Sequence, residues 1–220
     1  MVVSGTATTG MFVRDEDDAT PGYVARAQSG EPRAFQELYL LHRRDVLRLV
    51  TRMLGPRGDV DDVVQEVFIQ VFRSILGFRG DARFSTWLHR VAVNVALMHL
   101  RAGRSRPQLG RELPAEQPTP EESSPRDQAA RNERLRALYR ILDTLSEKKR
   151  AVFVLHDLEG VPAAQVAKIV EAPVLTVRTR LFYARKEVYA AMADDPTLEG
   201  LARELFRDGT ADTASEETPR

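Results

Sequence analysis

Cysteine is absent from the 220 residues, which excludes disulfides, thiolate metal sites and thiol nucleophiles. Histidine is scarce, and the four present (His42, His89, His99 and His156) have no spacing that suits a structural zinc. No apolar run reaches the roughly 18 residues that a membrane span needs. A basic region followed by an apolar run is missing from the N-terminus, so no secretory signal is expected. Net charge is missing as well, at a formal +0, so any case for a nucleic-acid partner must rest on where the charges sit. What remains is a soluble, cytoplasmic chain, 43% hydrophobic, with enough apolar mass for one or two small cores. With neither a nucleophile–base pair nor a metal cluster in view, no enzyme activity, metal, cofactor or small-molecule substrate is expected.

The stretch from Asp59 to Arg101 organises what is there. It opens with DVDDVVQEVFIQVFRSIL, in which Val60, Val63, Val64, Val67, Phe68, Val71, Phe72 and Ile75 recur at helical spacing and form one apolar stripe. Asp62, Gln65, Glu66 and Arg73 lie away from that stripe. On composition alone this acidic row reads first as a solvated face, with Asp61 and Asp62 favoured near the helix N-terminus by its dipole. No histidine or metal-ligand spacing accompanies it. The charge then reverses: from Phe78 to Arg111 there are seven Arg and one Asp, a formal +6, interleaved with Phe78, Phe84 and Trp87. The turn FRGDARF could expose these rings to stack on unpaired bases, or all three could be core. A second helix, STWLHRVAVNVALMHLR, follows, capped by Ser85 or Thr86, with Leu88, Val91, Ala92, Val95 and Met98 inward. Asn94 lies one turn beyond Arg90, and an exposed amide can read a base edge with two hydrogen bonds.

Around this stretch the spacing predicts an all-α protein of two small helical domains joined by a flexible linker, the second a helix-turn-helix. Residues 1–20 read as a disordered tail. A first helix over 21–29 ends at Gly30, and a long one over 33–54, entered through Pro32, stops at Gly55-Pro56. Gly58 and Asp59 supply a turn and an N-cap. These helices and the two above share one core, a domain over 21–102. Residues 103–126 are rich in proline and read as an extended linker. A helix over 127–145 follows, with Leu135, Leu138, Ile141, Leu142 and Leu145 as its stripe. Ser146 caps the next helix, which Gly160 ends.

Pro162 to Val170, the turn at Glu171, and a basic helix from Pro173 to about Met192 have the helix-turn-helix plan, closing a domain over 127–193. Arg178, Thr179, Phe182 and Arg185 share a face near the start of the last helix, with Arg180 beside them, angled toward a phosphate. Arginine there can donate twice to a guanine edge, and threonine suits phosphate or a thymine methyl. The plainer reading is a solvated basic face. Residues 194–220 read as one short helix, Leu198 to Phe206, and an acidic tail.

Together these segments resemble the sigma factors of bacterial RNA polymerase, in the extracytoplasmic-function group of the sigma-70 family. The resemblance runs from Pro21 to Met192 and rests on DVDDVVQEVF, on FRGDARFSTWLHRVAVNVA, and on LSEKKRAVFVLHDLEG followed by VPAAQVAKIV and VRTRLFYARK. It implies a transcription initiation factor that binds core RNA polymerase and directs it to specific promoters. Asp61, Asp62, Gln65 and Glu66 would face the polymerase. Phe78, Arg79, Gly80, Asp81, Arg83 and Phe84, with Trp87 and Asn94, would capture the minus-ten element as a single strand. Thr176, Arg178, Thr179, Arg180, Phe182 and Arg185 would bind the minus-thirty-five duplex. An anti-sigma partner, one able to hold the protein at the inner membrane, is implied as well. Two positions depart from the family's habit: Glu171 in the turn and Leu175 at the start of the recognition helix stand where glycine is common. The competing reading is a free-standing helix-turn-helix regulator that binds operators as a dimer.

Overall fold

The computed structural model describes residues 20–55, 59–104 and 125–200. Among these every regular element is helical. In chain order they are α1 (Thr20–Gln28), α2 (Pro32–Leu54), α3 (Val60–Ser74), a 3-10 turn (Ile75–Gly77) and α4 (Phe84–Arg104). Then come α5 (Pro125–Thr144), α6 (Glu147–Phe153), a π turn (Val154–Leu158), α7 (Ala163–Ile169) and α8 (Val174–Asp194).

Local chemistry sets most of these boundaries. Pro32 opens α2 at a position where its missing N–H costs nothing, and Gly55, at φ 83, closes it with a bond to the Thr51 carbonyl. Asp59 occupies the N-cap of α3, but its φ of −94 and ψ of 6 leave the side chain without a capping bond. Helix α4 starts at Phe84, whose ring is buried, so Ser85 and Thr86, expected as its cap, lie inside its first turn. Helix α4 continues to Arg104 and α5 begins at Pro125. The stretch 105–124, the tails 1–19 and 201–220, and residues 201–206 of the short C-terminal helix expected from Leu198 lie outside the described residues.

Contacts gather the chain into two compact units, residues 1–114 with 151–179, and residues 115–150 with 180–220. In the first, Leu38, Leu49, Val50, Met53 and Leu54 of α2 face Val63, Val64, Val67 and Val71 of α3 and Leu88, Ala92, Val93 and Ala96 of α4. Burying each such leucine or valine contributes about 1.5–3 kcal/mol. Three residues expected on apolar stripes are exposed, Phe72 at 63%, Met98 at 47% and Leu135 at 41%, and Val91 and Leu138 are half-buried. Each lies at the edge of its stripe, where a helix of 3.6 residues per turn has rotated away from the core.

In the second unit Ala137, Ile141, Leu142 and Leu145 line one side of the chain, and Leu181, Ala184, Val188 and Met192 are buried along α8. Arg150 is fully buried there and donates from Nη1 to Asp143 at 2.5 Å.

Candidate nucleic-acid interface

Helix α3 turns its valines inward, so Asp61, Asp62 and Gln65 are exposed and Glu66 is half-exposed. Arg43 reaches Asp61 at 3.5 Å, a weak surface pair. Glu66 is not simply wetted. Its Oε2 lies 2.6 Å from Nε2 of His99 on α4, which corrects the expectation that no histidine accompanies the acidic row. The same face continues as Ile69, Phe72 and Leu76, which are 50%, 63% and 74% exposed. Phe72 meets Phe35 edge-on, with ring centres 5.1 Å apart. An acidic row running into exposed apolar side chains fits a protein partner better than nucleic acid. The i, i+3, i+4 spacing that marked Phe72 as core could not show which side of the stripe it would fall on.

The loop between α3 and α4 is held from behind. The Gln28 side-chain amide donates to the carbonyls of Ile75 at 2.9 Å and Phe78 at 2.8 Å. Gly80 takes φ 78, a conformation that a side chain would strain. Phe78, Phe84 and Trp87 form one aromatic cluster with ring centres 5.4–5.7 Å apart. Phe84 is only 4% exposed and also stacks obliquely on His42, so it backs the cluster and offers no free face to a base. Phe78 and Trp87 are half-buried, while Arg79, Asp81 and Arg83 are exposed. Asn94 is exposed on α4 between buried Val93 and Val95. A cleft of about 320 Å³ runs along this loop, lined by Phe78, Arg79, Asp81, Trp87 and Arg90, with Lys168 of α7 on its wall.

Helix α8 buries Val177, Leu181, Ala184 and Val188 along one side and thereby turns the opposite side outward. Arg178 and Thr179 are exposed, Phe182 is 64% exposed, and Thr176, Arg180 and Arg185 are half-exposed. The hydroxyl of Thr179 donates to the Leu175 carbonyl at 3.0 Å. Tyr183, which pattern reading passed over, is 49% exposed and packs edge-on to Phe182 with centres 5.4 Å apart. The turn before α8 places Glu171 at φ 49, a left-handed backbone that explains why glycine suits this position. A non-glycine residue there costs about 1–3 kcal/mol.

Residues 151–179 are joined to the first four helices by polar contacts. A π turn at 154–158 swings Glu159 inward, and Gly160 at φ 71 leads the chain out again. The Glu159 side chain is 1% exposed and lies 3.3 Å from Arg48 and 2.9 Å from Arg52 of α2. Burial pushes its carboxyl above the usual carboxylate range, while the charges of Arg52 and Arg48 pull it back. Arg48 is shared with Asp45 at 2.7 Å, and Arg52 also donates to the Leu158 carbonyl. Further along, Arg90 of α4 meets Glu171 at 2.7 Å, and Gln165 Nε2 donates to Thr86 Oγ1 at 3.3 Å.

Comparison with known proteins gives this geometry a family. The Sigma-70 region 2 model matches residues 38–106 and the Sigma-70 region 4 model matches residues 135–188. The chain is 37% identical to the ECF RNA polymerase sigma-E factor of Escherichia coli K12, over 75% of this chain and 90% of that protein. It is 33% identical to the RNA polymerase sigma-H factor of Pseudomonas aeruginosa, over 88% of this chain and all of the relative. Among solved structures, CnrH in complex with the cytosolic domain of CnrY superposes with a TM-score of 0.60 at 28% identity, covering 81% of this chain and 99% of that one. Two helical modules matched in order, a basic helix-turn-helix and relatives matched over nearly their whole length place this chain in the sigma-70 family, among its extracytoplasmic-function members.

Proposed function

We propose a division of labour among the residues of this promoter-directing initiation factor. The face of α3 with Asp61, Asp62, Gln65 and Glu66, extended by Ile69, Phe72 and Leu76, docks on core RNA polymerase. Phe78, Arg79, Gly80, Asp81 and Arg83, backed by Phe84 and with Trp87 and Asn94 alongside, hold the minus-ten element as a single strand. Thr176, Arg178, Thr179, Arg180, Phe182 and Arg185 bind the minus-thirty-five duplex. The two modules are residues 21–102 and 127–193.

The observation that carries this reading is the exposure of Asn94. An exposed amide on a helix whose neighbouring residues are buried, one turn from Arg90 of the aromatic cleft, is left for a partner to satisfy. Base flipping costs a few kcal/mol. Stacking on Phe78 and Trp87 offsets part of that at about 1–3 kcal/mol per base, and hydrogen bonds from Asn94 add to it.

The relatives extend the list of partners. CnrH is solved with the cytosolic domain of CnrY, and the sigma factor RpoE of Bartonella quintana with the anti-sigma factor NepR. An anti-sigma protein is accordingly a partner of this chain. Transcription with purified core polymerase and mapped start sites tests the function. Addition of the chain should confine initiation to defined promoters in a salt-dependent way, and unselective initiation would reject it.

A further inference from the structure

We infer that Leu175, which none of the assignments above includes, reads the C5 methyl group of a thymine in the upstream duplex and so fixes one base of the promoters this chain selects. The inference deepens the proposed function and rests on its reading that α8 meets the minus-thirty-five duplex. At 76% exposed, Leu175 is the most exposed large apolar side chain among the described residues. It stands in the first turn of α8, which begins at Val174. The N-terminal residues of a recognition helix are the ones that reach base edges in the major groove. Counted from Leu175, Arg178, Thr179 and Phe182 follow at i+3, i+4 and i+7, so the leucine belongs to the face they share. Val177, Leu181, Ala184 and Val188 are buried on the other side of the helix, and their packing turns Leu175 outward.

A lone apolar residue on a surface needs no explanation, but this one is set among groups suited to DNA. Arg178 and Thr179 are exposed beside it, and Arg180 and Arg185 are half-exposed further along the helix. An apolar protein surface seated on Leu175 would strip water from these guanidinium groups, whereas a duplex meets them with phosphates and guanine edges. Leucine has no donor or acceptor of its own. Of the features that a base pair presents in the major groove, only the thymine methyl suits it. The Thr179 hydroxyl already donates to the Leu175 carbonyl at 3.0 Å, so it adds no donor to the groove at this point. Glycine at this position would offer no side chain, so Leu175 gives this chain a base preference of its own.

The test uses holoenzyme reconstituted with the full-length chain and a promoter taken from the mapped start sites. Each thymine on both strands of the upstream element is replaced in turn by deoxyuridine, which lacks only the C5 methyl. Duplex affinity is then measured for the wild type, Leu175→Ala and Arg178→Ala. Both substituted residues are exposed, so the fold should survive either change. At one position the wild type is expected to lose about 4-fold in affinity, the contribution of a single buried methyl, and Leu175→Ala to lose nothing. The remaining thymines should behave alike in both proteins. An element without thymine on either strand would overturn the assignment. So would methyl penalties that are the same in both proteins, and a fall in core polymerase binding by Leu175→Ala would then assign the leucine to a polymerase contact. Unchanged affinity in Arg178→Ala would remove α8 from the duplex, and the upstream reading of the proposed function would fall with it. Weakened binding by Arg178→Ala with every methyl penalty intact in Leu175→Ala would reject the leucine alone.

Discussion

Glu66 on α3 and His99 on α4 meet at 2.6 Å, so the acidic face is braced from the next helix. A carboxylate held in one orientation presents the same geometry at every encounter with a partner. His99→Ala is expected to weaken core polymerase binding a few-fold, in line with loss of a hydrogen bond worth about 0.5–1.5 kcal/mol. Titration of core enzyme with labelled chain measures it, and unchanged affinity would mean that the contact with His99 contributes nothing to docking.

Charge reversal on the same face is a stronger perturbation. Asp62→Lys combined with Glu66→Lys should abolish holoenzyme formation in a pull-down while the thermal midpoint of the free chain moves little, since both residues lie outside the core. Retained core binding would show this face to be only solvated.

The two proposed DNA surfaces should separate by substitution. Asn94→Ala is expected to impair strand opening and leave upstream duplex binding intact. Arg178→Ala should instead weaken upstream recognition by about 1–3 kcal/mol if it reads a base edge. Permanganate footprinting reports the first and duplex titration with holoenzyme the second. Identical effects of both variants in both assays would refute the assignment.

Burial sorts the phenylalanines. Phe84, 4% exposed, should cost about 3–5 kcal/mol of stability on truncation to alanine. Phe182, 64% exposed, should cost within about 0.5 kcal/mol and lower upstream DNA affinity. Chemical denaturation distinguishes them.

A buried imidazole adds a pH dependence. His89 is 4% exposed. Burial, with smaller contributions from the charges of His42 and Arg48, pushes its pKa from 6.5 down to about 3. The unfolded chain accepts a proton that the folded chain refuses. The His89 contribution is therefore complete above pH 6.5 and is lost as pH falls toward 3, at about 1.4 kcal/mol per pH unit. Denaturation midpoints between pH 7 and 5 should fall in the wild type and fall less steeply in His89→Leu. Parallel declines would remove His89 as the cause.

Periodicity made the helices legible because a stripe of valines in α3 or leucines in α5 needs only local spacing to be recognised. Ends were legible where the residue itself dictates the backbone, as at Pro32, Gly55 and Gly160. The start of α4 was not, since it falls at Phe84, ahead of both Ser85 and Thr86. Nor could spacing reveal long-range partners. Glu66 and His99 are 33 residues apart, and Arg48 and Glu159 are 111 apart. The unusual residue in the turn was visible as a departure from glycine, but its link to Arg90 depends on how α7 meets α4.

The amide of Gln28 reaches from α1 to two carbonyls at the base of the aromatic loop, 47 and 50 residues away. The loop thus arrives already shaped, and the entropy of ordering it is spent during folding rather than at the encounter. Helix α1 precedes residue 38, where the family match begins. A fragment cut back to the matched residues would keep every side chain at the cleft yet forfeit this brace, and slack at the loop's foot would surface as shorter residence times on the strand.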